Sequence, residues 1–182
     1  MLEIRWHGRG GQGAVTSVEL LALSAIEEGK YAQGFPSFGT ERRGAPVTAF
    51  NRFDDKQIKI RSGIYHPDVV VVLDASLVAL VDVAEGLKPT GILLVNTTKS
   101  LADLKKIIHF EGKIATCDAT GIAWKELGVP ITNTTMLGAL IKVTGIVKLE
   151  SLDNPIKERF GRIAPKNIAA AKSAYDRVKI IN

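Results

Sequence analysis

Two uninterrupted aliphatic runs limit what this chain can become: Val69-Val70-Val71-Val72-Leu73 and Ile92-Leu93-Leu94-Val95. A strand with one face in water alternates apolar with polar residues, so a run with no polar member needs cover on both faces. Helix-period stretches trail each run, "SLVALVDVAEGL" (76–87) and "SLADLKKIIHF" (100–110), and "GKIATCDAT" followed by "GIAWKELG" repeats the strand–helix order. That alternation predicts a three-layer α/β/α fold around a mostly parallel sheet. Upstream, Leu2, Ile4 and Trp6 alternate with Glu3, Arg5 and His7, which reads as a strand, and "YAQGF" (31–35) reads as a second short one. "VTAFNRF" (47–53) and "QIKIRS" (57–62), split by "DDK", predict an antiparallel hairpin at one margin of the sheet. The tail, "NTTMLGALIKVTGIV", "SLDNPIKERFG" and "PKNIAAAKSAYDRVK", reads as helical. No composition shift, repeat or low-complexity stretch divides residues 1–182, so a single α/β domain is expected.

The first strand runs into Gly8-Arg9-Gly10-Gly11-Gln12-Gly13, and a helical pattern begins at Ala14, with Val15, Val18, Ala22, Ala25 and Ile26 on one face and Gly29 as its stop. Glycines permit positive φ and close approach of the backbone, and a helix N-terminus presents unpaired amides with a partial positive charge. The pattern satisfies G-x-G-x-x-G between strand and helix, yet a dinucleotide site also needs an acid at the end of the second strand. Here that strand ends "YAQGFPSFG", without Asp or Glu, and Gln12 sets a long amide in the turn. An autonomous NAD(P)- or flavin-binding domain is therefore the weaker reading of this turn.

Other polar clusters are few. Arg42 and Arg43, in the Gly- and Pro-rich loop "PSFGTERRGAP", offer two guanidinium forks suited to carboxylate or phosphate. Asn133 or Thr134 is the expected cap of the helix that opens "NTTMLGAL". His7, His66 and His109 are far apart in sequence and show no metal-ligand spacing, so no metal site is expected. Cys117 falls at the end of a buried strand and reads as an inert thiol. One cysteine permits neither an internal disulfide nor a self-contained iron–sulfur cluster. The formal charge of +5 comes from scattered Lys and Arg with no interleaved aromatics, which argues against nucleic-acid binding. No secretory leader or membrane-spanning run is visible, so a cytoplasmic protein is expected. The residues alone supply no catalytic set.

The stretch "WHGRGGQGAVTSVELLALSAIEEGKYAQGFPSFGTERRGAPVTAFNRF", with "HPDVVVVLD", "GILLVNTT" and "NTTMLGALIKVTG", resembles the gamma subunit of the pyruvate (2-oxoacid):ferredoxin oxidoreductases along essentially the whole chain. The "GTERRGAPV" form is most similar to pyruvate synthases, with the branched-chain 2-oxoacid enzymes next. The resemblance implies a non-catalytic subunit that assembles with alpha, beta and delta chains. Those partners would carry thiamine diphosphate, magnesium and 4Fe–4S clusters, with coenzyme A and ferredoxin reached through the complex and no cofactor in this chain. It also implies a surface for partner chains or coenzyme A phosphates, drawn from Gly8, Gly10, Gly11, Gln12, Gly13, Arg42, Arg43, Asn133 and Thr134. Apolar surface meant for partners predicts self-association when the chain is isolated.

Overall fold

In the computed structural model, which describes residues 1–37 and 44–181, seven strands form one mixed sheet. They are β1 (Leu2–Arg9), β2 (Tyr31–Pro36), β3 (Pro46–Asp54), β4 (Val69–Val72), β5 (Ile92–Asn96), β6 (Lys113–Cys117) and β7 (Lys179–Ile181), in the spatial order β2-β3-β1-β4-β5-β6-β7. The middle of the sheet, β1, β4, β5 and β6, is parallel. Antiparallel pairing closes both margins, β2–β3–β1 on one side and β6–β7 on the other. The helices are α1 (Ala14–Glu27), α2 (Leu101–Lys105), α3 (Ala119–Leu127), α4 (Asn133–Thr144), α5 (Asp153–Phe160) and α6 (Ala164–Arg177).

The aliphatic runs behave as their composition requires. All of β4 is buried, and its valines divide between two cores: Val69 and Val71 face one, Val70 and Val72 the other. The first core holds α1, α3, α4, α5 and α6 against the sheet. The second is thinner, closed by Leu77, Val83, Leu87, Leu104, Ile108 and Phe110 from short or irregular segments. Three layers are present, and they are unequal.

That inequality corrects two expected helices. Residues 76–87 form only a 3-10 turn (Ala75–Ala79) followed by further turns. Asp82 accepts a hydrogen bond from the Ala84 amide at 3.0 Å, offering the backbone a local partner in place of a helical one. Residues 100–110 give one short helix, α2, after which exposure alternates strictly from Ile107 to Phe110. Ile108 and Phe110 reach the core from that extended path.

The hairpin is also built differently. β3 pairs with β2 on one side and β1 on the other, so Gln57–Ser62 has no free edge of β3 to join and forms no strand. β7 was not legible in advance; it is three residues long and follows α6 almost at once.

Candidate functional site

The chain leaves β1 for α1 toward the β2–β3 margin and leaves β4 for β5 toward the other, so a crevice opens beyond the carboxyl ends of β1 and β4. In open α/β sheets this is the place for a ligand or partner. The glycine turn forms one wall. Gly10 N–H donates to the Ala45 carbonyl at 2.9 Å, and Gly44 N–H returns a bond to Gly10 at 3.1 Å. Gly11 and Gly13 take φ of 93° and 81°, and Gly11 stands exposed at the tip. Gly13 caps α1 without any side-chain hydrogen bond. Gly8 lies buried at the base, where an added Cβ would stand 3.3 Å from Leu73.

Gln12 turns inward and fastens the turn. Its Oε1 accepts from Arg9 N–H at 2.7 Å, and its Nε2 donates to Asp74 Oδ2 at 2.9 Å. Arg9 reaches the same carboxylate through Nε at 3.0 Å, the Gly44 carbonyl through Nη1 at 3.0 Å, and Ser76 Oγ through Nη2 at 2.8 Å. Asp74 Oδ1 accepts from both the amide and the hydroxyl of Ser76. Burial disfavours the charge on Asp74, but the bonds from Ser76, Gln12 and Arg9 outweigh it and hold the carboxyl below its ordinary range. A carboxylate missing from the end of β2 thus stands at the end of β4 instead. Arg9, Asp74 and Ser76 were not among the site residues expected from the sequence; the one signal was an acid ending a fully apolar strand beside a glycine turn.

The structure joins two of the sequence clusters. A Cβ on Gly13 would lie 2.6 Å from Asn133 Nδ2, so the missing side chain is what lets the start of α4 pack on the start of α1. Asn133 and Thr134 are buried. The expected cap is corrected: Thr132 precedes the helix without a side-chain capping bond, while Asn133 Oδ1 accepts from the adjacent Thr134 amide at 2.8 Å. Thr134 Oγ1 donates to Asn167 Oδ1 at 2.8 Å and ties α4 to α6, which meet closely enough that a Cβ on Gly138 would collide with the Ala171 carbonyl. Arg42 and Arg43 lie outside the described residues.

Beyond the turn, the crevice continues as a cleft of about 590 Å³ bounded by Gln12, Asp74, Asn96, Lys99 and Asp118. His7 is buried on β1, accepts from Arg5 Nε at 3.0 Å, and is pushed down to about 4 by burial and then by the Arg5 charge. Burial, with Asp118 nearby, raises the Cys117 thiol to about 11. Among the described residues no three His, Cys, Asp or Glu side chains gather as a metal site. The arrangement is a rigid, internally paired polar surface with an exposed backbone tip.

Comparison with known proteins follows the same outline. Residues 3–177 match the family described as pyruvate ferredoxin/flavodoxin oxidoreductase. A Thermococcus kodakarensis protein named pyruvate/ketoisovalerate oxidoreductases common subunit gamma is 58% identical over 182 residues, 99% of this chain and 98% of that one. A pyruvate synthase subunit PorC from Methanothermobacter marburgensis is 54% identical over 180 residues, 98% of each chain. The crystal structure of the pyruvate oxidoreductase subunit PORC from Thermotoga maritima superposes with a TM-score of 0.91 at 45% identity, covering 100% of this chain and 98% of that one.

Proposed function

Because the chain belongs to the pyruvate ferredoxin/flavodoxin oxidoreductase family and is a gamma subunit of a 2-oxoacid:ferredoxin oxidoreductase, we propose that its complex acts on pyruvate, releasing carbon dioxide and acetyl-CoA with ferredoxin as electron acceptor. The observation that carries this reading is the end-to-end likeness, 54% over 98% of both chains, to a pyruvate synthase subunit. In this reading thiamine diphosphate, magnesium and the clusters belong to alpha, beta and delta partners in the cytoplasm. Thiamine diphosphate supplies carbanion stabilisation there. This chain contributes position and surface.

The glycine turn fits contact with a partner chain. Its side chains are already paired to one another, and what it presents outward is backbone at Gly11, to which Arg42 and Arg43 add charge close by in sequence. Seating coenzyme A's phosphates is the second role for the same residues. A second reading of substrate rests on the 58% relative, whose name covers both pyruvate and ketoisovalerate enzymes: one gamma chain serving two complexes.

Co-expression with the partner chains, followed by assay with pyruvate and with ketoisovalerate, tests these statements. Pyruvate turnover by the assembled complex and none by the isolated chain is expected; an assembled complex inactive on pyruvate sinks the proposal, and turnover with only ketoisovalerate moves it to the branched-chain enzymes. Arg42→Ala with Arg43→Ala should weaken assembly or raise KM for coenzyme A. If both stay unchanged, the surface is misassigned.

A further inference from the structure

Residues 57–61, Gln-Ile-Lys-Ile-Arg, have the alternation and the β-branched content of a strand, yet both edges of β3 are occupied and they join no sheet. Nor does the segment fold on itself. From 57 to 66 no backbone amide or carbonyl pairs with another backbone group among the described residues, and the path over 57–61 has no bend. Side chains hold it instead. Gln33 Nε2 on β2 donates to the Ile58 carbonyl at 3.3 Å, and Arg52 Nη2 on β3 donates to the Gly63 carbonyl at 3.1 Å. Arg52 is buried, with Nε on Glu3 Oε1 at 2.7 Å, and its Nη1 has no partner among the described residues. The packing around this guanidinium is therefore one acceptor short in the chain alone.

Along an extended chain the N–H and C=O of one residue share an edge, and successive residues use opposite edges. With the Ile58 carbonyl turned to Gln33, the edge formed by Gln57, Lys59 and Arg61 faces away from the sheet. All three residues are exposed, as is Ile60. An unpaired edge of this kind accepts another strand. Its charge selects which one. A second copy of the chain would set Lys59 and Arg61 among cations of their own kind, and like charges across a strand pair destabilise it, whereas carboxylates there are favourable.

We propose that the edge at 57–61 takes an added strand from a partner chain, one whose own edge carries Asp or Glu at alternate positions to meet Lys59 and Arg61. The inference deepens the subunit reading above and rests on it, since the partner is another chain of the assembly. It concerns a different surface from the glycine turn. Arg52 ties Gly63 to Glu3, at the start of β1, while the turn follows Arg9 at its end.

Amide-resolved hydrogen exchange by mass spectrometry, on the isolated chain and on the complex co-expressed with its partner chains, tests the assignment. In the complex the amides of Lys59 and Arg61 should exchange roughly 100-fold more slowly, and those of Ile58 and Ile60 much less so. Lys59→Pro, which removes an outward N–H, should weaken assembly more than Ile60→Pro, which removes an inward one. Lys59→Glu with Arg61→Glu should weaken it about tenfold, whereas Lys157→Glu with Lys166→Glu, exposed on α5 and α6, should not. Every substituted position is exposed, so the urea midpoint of the isolated variants should stay in place. Unchanged exchange at Lys59 and Arg61 in a complex that does assemble overturns the inference and leaves the subunit reading standing; failure of the unmodified chain to assemble overturns both. Equal slowing of all four amides, or an equal loss in the α5–α6 variant, also overturns it. Protection that arises in the chain alone and grows with its concentration assigns the edge to a second copy and rules out the acidic partner.

Discussion

Replacing Gly13 by alanine separates the two reasons a glycine stands there. At φ 81° an L-residue sits in the left-handed region, which costs about 1–2 kcal/mol. Gly11, at φ 93° with nothing within 4 Å of an added Cβ, incurs that cost alone, so Gly11→Ala measures it. Gly13→Ala must also drive a methyl to 2.6 Å from Asn133 Nδ2 and 3.2 Å from its Cβ and Cγ. Asn133 is 4% exposed and cannot swing into water, so an overpacking cost of about 1–3 kcal/mol is added. The expected losses are therefore about 1–2 kcal/mol for Gly11→Ala and about 2–5 kcal/mol for Gly13→Ala. For a chain of this length each kcal/mol lowers the melting point by roughly 2–4 °C. Urea unfolding followed by far-ultraviolet circular dichroism gives both values if the slope m is unchanged. Asn133→Ala removes Nδ2 and Cγ, so Gly13→Ala on that background should fall toward the Gly11 cost. Losses for the two glycine variants within about 0.5 kcal/mol of each other, or no coupling to Asn133, would refute the packing argument.

Two further outcomes follow from buried titratable groups. His7 folds with a value near 4 against 6.5, so the neutral form stabilises the native state above pH 6.5, and that stability is lost as pH falls from 6.5 through 4. The loss should reach about 3 kcal/mol at the acid end and disappear from that window in His7→Gln, which keeps an acceptor for Arg5; Asp74, held low, contributes its own loss only below the ordinary carboxylate range. Cys117, 3% exposed and raised to about 11, should react with iodoacetamide at pH 8 roughly 100-fold more slowly in the native chain than in urea, by mass spectrometry; equal rates would contradict its burial.

What the sequence disclosed divides by the range of the interactions involved. The apolar runs of β4 and β5 and the alternation of β1 are decided by which faces are covered, and they read correctly from the chain. The turn from β1 into α1 was legible because positive φ at Gly11 and Gly13 is a local demand. Pairing choices were not. Whether β3 takes Tyr31–Pro36 or Gln57–Ser62 depends on a competition between distant segments, and both carry strand-like patterns. The helix expected at 76–87 failed because its apolar residues serve a thin core through turns, a tertiary demand that overrides helical period. The same holds at the site: Gln12 was legible as an oddity in a glycine turn, but its partner Asp74 is 62 positions away. Asn133 and Thr134 looked like a cap and proved to be packing, because burial against Gly13 and Asn167 is invisible locally.

The position of that one carboxylate separates the two roles open to the glycine turn. On the second strand an acid would await a ribose; at the end of β4, Asp74 instead takes the Gln12 amide and the Arg9 guanidinium. The turn's cation is thus neutralised within the domain, and a phosphate approaching Gln12 would meet a carboxylate 2.9 Å behind the amide, a repulsion that low local dielectric strengthens. A turn so arranged gains little from a free anion. It gains more from a partner surface whose own dipoles meet the exposed backbone at Gly11, because the side chains behind that tip are locked and lose no further freedom on contact. Attraction for coenzyme A at this place would then have to come from cations outside this network, for which Arg42 and Arg43, just ahead of Gly44 in sequence, are the candidates. The turn's own contribution is shape.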